Sequence, residues 1–388
     1  MKIKRDLYLN KLINRRENSS IKVITGIRRC GKSYLLFHLF YEYLINSGVA
    51  DDHIIRIALD DDEHEDLLDR KALSAYIREQ IHDNDIYVTG SNSKFLSSDI
   101  LTEFRGRGDE VRVYPLSFSE FCSAFDGSTD DAWFNYLTYG GLPLILTRKT
   151  PEQKSKYLMD LFQKVYLDDI IERNNLRGDT IMDNLVNILA SCIGSLTNPN
   201  KLAHTFASNG MGHISDKTIS SYISYLMDAF LISKAERYDV KGKKYIASPY
   251  KYYFTDIGLR NARLNFRQQE ETHIIENIIY NELLIRGFNV DVGIVKHMEK
   301  DPAGKRTLKK YEVDFVCNRG NQRYYIQSAF SISDKEKETQ EQRSLLYTGD
   351  FFKKIIVVRD NIIPWHNENG ILIVGLKDFL LKENSLEL

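Results

Sequence analysis

Gly26-Ile27-Arg28-Arg29-Cys30-Gly31-Lys32-Ser33 is the stretch on which the fold turns. It reads G-x-x-x-x-G-K-S. The apolar run Ile21-Lys22-Val23-Ile24 before it predicts a strand, and Tyr34-Leu35-Leu36-Phe37 onward predicts a buried helix. Strand, glycine loop and helix start are the context of a phosphate-binding P-loop. Gly26 and Gly31 let the backbone curl through Ile27, Arg28, Arg29 and Cys30 so that its N–H groups point inward at phosphate oxygens. The helix start at Lys32, Ser33 and Tyr34 adds its partial positive charge. Lys32 reaches β- and γ-phosphates, and the Ser33 hydroxyl is a ligand for Mg²⁺. ATP with Mg²⁺ is the expected cofactor.

The rest of the composition bounds the class. The chain has 388 residues, 43% hydrophobic and 28% charged, enough for several globular domains. Net charge is −1, so any polyanion-binding surface must be local. No run of about 18 apolar residues marks a membrane span. The start Met1-Lys2-Ile3-Lys4-Arg5-Asp6 has no apolar secretory core. Cys30, Cys122, Cys192 and Cys317 form no C-x-x-C pair, as expected of reduced thiols in the cytoplasm.

Outward from the loop, Leu7 to Arg16 reads as a charged lead-in helix. Ile54 to Leu59 reads as a second strand closing on Asp60-Asp61-Asp62-Glu63, followed by a helical segment around Leu67 to Ile81. Asp85 to Val88 reads as a further buried strand ending in Thr89-Gly90-Ser91-Asn92. Strand ends of an open α/β sheet are where ligands sit, so Asn92 either orients an attacking water or is a turn asparagine. Arg105 and Arg107 stand in the glycine-rich loop Glu103 to Glu110. They suit γ-phosphate sensing or an arginine finger, or form a solvated turn. The strand Val111 to Tyr114 follows, then Pro115-Leu116-Ser117-Phe118 opens a helix.

The combination GIRRCGKS, IYVTGSNSKFLSS, EFRGRGDEVRVYPLSFSEF and Tyr139-Gly140-Gly141-Leu142-Pro143 resembles the prokaryotic AAA+ ATPases that carry a C-terminal domain of unknown function. The resemblance implies a P-loop AAA+ core over 1–125, with Asn92 at the sensor-1 position and Arg105 or Arg107 as finger or sensor. In such ATPases a strand ending in Asp-Glu lies between the second strand and the sensor-1 strand. Between Asp60 and Asp85 only one helix-like segment is present. One strand–helix unit of roughly 30–40 residues is therefore missing, and with it the Walker B acid. Slow or absent hydrolysis is expected.

The pattern over 126–195 is helical and resembles an AAA+ lid. Over 196–262, two helices and a strand-turn-strand read as a winged helix. Lys217 lies on its second helix. Lys241, Lys243, Lys244 and Lys251 lie on its wing among Tyr245, Tyr250, Tyr252 and Tyr253. Basic residues with aromatics suit duplex DNA; a module used only for protein packing is the other reading. Over 263–388, a helix with Glu276 and strands with Asp314 and Gln327 resemble a PD-(D/E)XK nuclease fold. Ala329 stands at the lysine position and Gln327 lacks a carboxylate's charge, so cleavage is not expected. The fold class expected is α/β throughout. The function expected is an ATP-binding switch acting on DNA, the alternatives being an ATP-regulated nuclease and a nucleotide-stabilised interaction scaffold.

Overall fold

A computed structural model describes residues 3–58, 66–67, 69, 72, 75–76, 79, 85–91, 108–176, 179–267, 270–300, 305–332 and 335–388. The chain forms two compact units, Lys2–Val113 and Tyr114–Leu388.

In the first unit the charged lead-in is the helix α1 (Asp6–Ile13), which buries Tyr8 and Leu12. Strand β1 (Ile21–Thr25) is buried along its whole length and is flanked in parallel by β2 (Tyr87–Thr89) and β3 (Gly108–Arg112). Among the described residues the sheet order is β2-β1-β3. Ile21 and Val23 pack against Ile86 and Val88. Lys22, in the middle of β1, is fully buried, and its ammonium lies 2.5 Å from Asp85, which tethers the entry to β2. Helix α2 follows the P-loop in three stretches, Lys32–Tyr34, the π-helical Leu35–Phe40 and Tyr41–Asn46.

One expectation changes here. The strand read from Ile54 is not in a sheet over its described part, 54–58, where Ile55 is about half exposed. An apolar run without a partner strand has nowhere to place its hydrogen bonds. Strand β1 is paired on both sides, and among the described residues the sheet ends at the half-buried β2.

The second unit begins with helices α3 (Phe118–Ala124), α4 (Thr129–Tyr139), α5 (Pro151–Leu161, π-helical Phe162–Leu167, Asp168–Arg173), α6 (Asp179–Ser191), α7 (Pro199–Ser208) and α8 (Asp216–Asp228). Ser117 and Glu120 form a reciprocal cap on α3. After the hairpin β4 (Ile232–Asp239) and β5 (Lys244–Phe254) comes α9 (Ile257–Arg263), then α10 (Glu271–Ile285). The Tyr139-Gly140-Gly141 turn docks on the start of α9. Gly141 N–H donates to Asp256 Oδ2 at 2.8 Å, and the other carboxylate oxygen caps Leu259 N–H at 3.1 Å. Asn261 closes the latch by donating to the carbonyls of Leu137 and Thr138 at the end of α4, each at 3.0 Å.

The remaining strands are β6 (Asn289–Lys300), β7 (Arg306–Arg319), β8 (Gln322–Ala329), β9 (Lys353–Val358), β10 (Trp365–His366) and β11 (Leu372–Gly375), with α11 (Lys335–Leu346) and α12 (Leu376–Leu381). They build one mixed sheet in the order β10-β11-β9-β8-β7-β6-β4-β5. Its core holds Val295, Val313, Tyr325, Ala329, Leu345, Ile356 and Ile373. The hairpin read as a wing is part of this sheet. The hairpin is no free wing, because β4 runs parallel to β6 with Arg237 opposite Val292 and Asp239 opposite Ile294. The sheet crosses the boundary read at 262/263. The long strand β6 and the ribbon that it makes with β7 were not read from the sequence at all. Among the described residues no helix is long and apolar enough to cross a membrane.

Candidate functional site

Strand β1 delivers the chain to Gly26, with φ +139°, where a Cβ would sit 2.1 Å from the Val113 carbonyl oxygen. Only glycine allows that approach. Arg29 and Gly31, with φ +62° and +97°, turn the loop through the left-handed region. For Arg29 this costs about 1 kcal/mol, strain of a kind that collects at functional loops. Three side-chain hydrogen bonds tie the loop to its surroundings. Arg5 donates to the Cys30 carbonyl at 3.2 Å, Cys30 Sγ donates to the Val113 carbonyl at 3.5 Å, and Arg28 Nε donates to Ser91 Oγ at 3.1 Å. Ile27 and Cys30 are buried beneath it.

No side chain caps the start of α2. Ser117, Ser128, Thr150, Asn198, Ser215 and Asp256, by contrast, each cap their helices. The first-turn N–H groups of a helix have no internal acceptor, so at α2 they and the helix dipole are left for an anion. Lys32 is only 7% exposed, and its Nζ donates to the carbonyls of Gly26 and Ile27 at 2.9 Å each. Burial lowers its pKa below lysine's usual range; Cys30 opposes this and the Arg28 charge adds to it. Ser33 is exposed, and Tyr34 behind it rests on His38, with ring centroids 5.2 Å apart. On β3, Glu110 accepts from Thr25 Oγ1 at 2.5 Å, directly before the loop. Asn92, Arg105, Arg107 and the Asp60 to Glu63 cluster lie outside the described residues.

A second constellation forms in the large sheet. The structure brings Glu276, on α10, together with Asp314 on β7 and Gln327 on β8. Asp314 Oδ2 accepts from Ser328 N–H at 2.9 Å, while Gln327 Oε1 accepts from Asp314 N–H at 3.4 Å and Ser344 Oγ at 3.3 Å. Ala329 faces the apolar core. Sequence reading missed the cation. Lys251, read as a wing lysine, is buried at 3% exposure, with Nζ 2.9 Å from Glu276, 2.8 Å from Glu312 and 3.8 Å from Asp314. Tyr253 donates to the same Glu276 oxygen at 2.6 Å. Burial alone would lower the Lys251 pKa, but Glu276, Asp314 and Glu312 hold its ammonium well above the usual range. Burial pushes the Asp314 carboxyl up against the pull of Lys251. The signal that existed was the alternation Lys251-Tyr252-Tyr253, which puts Lys251 and Tyr253 on one face of a strand. Among the described residues, no group of three or more His, Cys, Asp or Glu side chains is arranged to hold a metal.

Lys241, Lys243 and Lys244 are exposed at the β4–β5 turn, and Lys217 is exposed on the first turn of α8. Asp239 pins the turn by accepting from Gly242 N–H at 2.9 Å and from Lys296 Nζ at 2.7 Å.

The AAA domain family matches residues 18–84 and 70–122, two pieces that overlap between Asp60 and Asp85. A domain of unknown function, DUF8612, matches residues 130–270. An uncharacterized protein of Haemophilus influenzae is 31% identical over 98% of this chain and 99% of its own length. That alignment runs over 415 positions against 388 residues here, so at least 27 aligned positions have no residue in this chain. An uncharacterized protein of Methanocaldococcus jannaschii is 29% identical over 87% of this chain and 80% of its own. The solved Walker-type ATPase of Pyrococcus abyssi is 14% identical, covering 68% of this chain and 96% of its own, with a TM-score of 0.44. The chain belongs to the family of the Haemophilus influenzae protein, as an AAA-family ATP-binding protein with an N-terminal P-loop domain and a following domain of unknown function.

Proposed function

We propose that this chain is a nucleotide-controlled switch that binds ATP, turns it over slowly and acts on DNA. The observation that carries the reading is the P-loop itself, a left-handed loop on a buried strand that opens into an uncapped helix start beside Lys32. The Lys32 ammonium exchanges two backbone carbonyls for phosphate oxygens as the nucleotide enters. ATP brings Mg²⁺, for which the exposed Ser33 hydroxyl is the fitting ligand beside the loop.

Slow turnover is supported by three facts. The AAA match falls into two pieces that overlap over 70–84, a full-length relative aligns over at least 27 positions that this chain lacks, and residues 54–58 join no sheet. Hydrolysis needs a carboxylate to hold Mg²⁺ and another to polarise water. The DNA part is supported by Lys241, Lys243 and Lys244, exposed together on a chain of net charge −1. The nuclease alternative is disfavoured by Lys251, whose ammonium sits among the carboxylates that a metal would need.

The test is ATP affinity measured beside single-turnover hydrolysis with saturating enzyme. The expected result is saturable binding with turnover far below the ~1 s⁻¹ lower end of ordinary enzymes. Absent binding overturns the reading. Fast turnover that survives replacement of Asp61, Asp62 and Glu63 by Ala overturns the slow-hydrolysis part.

A further inference from the structure

Strands β6 and β7 continue beyond the sheet as a two-stranded ribbon, and its register sorts the side chains into faces. Lys296 lies opposite Lys310, Met298 opposite Leu308, and Lys300 opposite Arg306. Directly opposed residues share a face, so these six form one face. His297, Glu299, Thr307 and Lys309 form the other. That second face is the inner one, where His297 stacks on Tyr347 with centroids 3.7 Å apart and ring planes within 2°, and Lys309 pairs with Glu299 at 2.7 Å. The first face is open. Met298 and Leu308 are 52% and 55% exposed, with Lys300, Arg306 and Lys310 exposed around them.

This arrangement is unfavourable for a ribbon left alone. Like charges directly opposite one another destabilise a strand pair, and Lys300 faces Arg306 while Lys310 faces Lys296. Asp239 neutralises Lys296 at 2.7 Å. Among the described residues no acidic side chain pairs with Lys300, Arg306 or Lys310. The sequence from Val295 to Tyr311 carries six basic residues against Glu299 and Asp301 on a chain of net charge −1. The Lys241 to Lys244 turn adjoins the root of the ribbon, because Val240 N–H donates to the Ile294 carbonyl at 3.0 Å.

We propose that the exposed face of the β6–β7 ribbon docks into a groove of duplex DNA, with Lys300, Arg306 and Lys310 on phosphates and Met298 and Leu308 against the bases. It rests on the DNA reading above and names the surface that carries it. A two-stranded ribbon fits the major groove of B-DNA, phosphates offset the opposed cations, and exposed Met and Leu at the centre of a cationic face suit contact with base edges. Isolated anions would leave the apolar pair without a role.

The experiment is fluorescence anisotropy of a labelled random-sequence duplex across a salt series with the full chain. Wild type should bind with steep salt dependence. Replacing Lys300, Arg306 and Lys310 together with Gln should weaken binding at least tenfold and reduce the log–log salt slope by about 2–3. A second variant separates binding from folding. Lys300→Glu converts the pair with Arg306 into opposite charges, so the melting temperature should hold or rise while DNA binding falls. If wild type binds no duplex at low salt, or binds only phosphatidylserine vesicles, both this inference and the DNA reading fall. If the triple ribbon variant binds as wild type while the triple Gln variant of Lys241, Lys243 and Lys244 does not, the ribbon inference alone is overturned.

Discussion

The Lys251 ammonium and the Glu276 carboxylate lie 2.9 Å apart, each less than one-tenth exposed. Strand β5 and helix α10 are joined by charge as well as by packing. Breaking a buried pair from one side strands a charge and costs about 3–5 kcal/mol. Lys251→Met and Glu276→Gln should each destabilise by that order. The double variant should fall short of the sum by about 0.5–3 kcal/mol, the range for groups in direct contact. Urea midpoints of the four proteins check this, and strictly additive losses would refute the contact.

The same ammonium determines the outcome with metal. With Mg²⁺ or Mn²⁺ the chain should leave DNA uncut, since Lys251 sits among Glu276, Glu312 and Asp314 and no lysine stands at Ala329. A nicking assay on supercoiled plasmid reads this directly. Cleavage that disappears in Asp314→Ala would refute it.

Lys32→Ala should lower the affinity for a fluorescent ATP analogue by about ten- to a hundredfold, the loss of a charged hydrogen-bonding group. Lys32 is enclosed by its own loop and does not stand out in solvent, so the variant also leaves the Gly26 and Ile27 carbonyls without that donor. The far-UV circular dichroism should be unchanged, and unaltered affinity would count against a phosphate role.

Asp256 sets a pH dependence. Burial pushes its carboxyl up to about 6, against the backbone donors of Gly141 and Leu259. An unfolded aspartate titrates near ~4. The folded group therefore binds its proton more tightly, and its contribution is full below pH ~4 and is lost as pH rises through about 6. The stability difference between wild type and Asp256→Asn should move against wild type by roughly 2–3 kcal/mol between pH 4 and 7. Urea melts at stepped pH measure it; a pH-independent difference would refute the shift.

Gly258→Ala tests the latch by volume alone. A Cβ there would lie 2.0 Å from the Tyr139 carbonyl oxygen. Helices α4 and α9 must separate to admit it, and overpacking of this kind costs about 3 kcal/mol. A melting temperature equal to wild type would mean that the two helices do not meet as described.

What local patterns decide was legible in the sequence. The P-loop, its flanking strand and helix, the Ser117 cap, the helices of 126–195 and the strands at Lys353 and Leu372 follow from motif, periodicity and capping chemistry. The resemblance to a nuclease fold singled out Glu276, Asp314 and Gln327 but not Lys251, which lies between the first two. Long-range pairing was not legible. Nothing near Arg237 announces that it will lie beside Val292, more than fifty positions on, so the hairpin read as a separate wing. Lys251 misled for the same reason: a lysine among tyrosines has the composition of a binding surface, and only the sheet turns it inward. Strand β6 escaped because its glycine, charges and His297 break the apolar alternation that marks a strand.

The parallel pairing of β4 with β6 has a practical consequence for cutting the gene. A fragment ending at residue 270, where the DUF8612 match ends, would keep Lys251 and remove Glu276, Glu312 and Asp314. It would also strip β4 of its neighbour and present a bare strand edge to other chains. The sequence-defined domain is therefore no autonomous folding module. On the ribosome the hairpin, complete at Phe254, waits for Val292 to Ile294 before that edge is closed, and the shortest fragment expected to stay soluble runs on through the remaining strands of the sheet to β11.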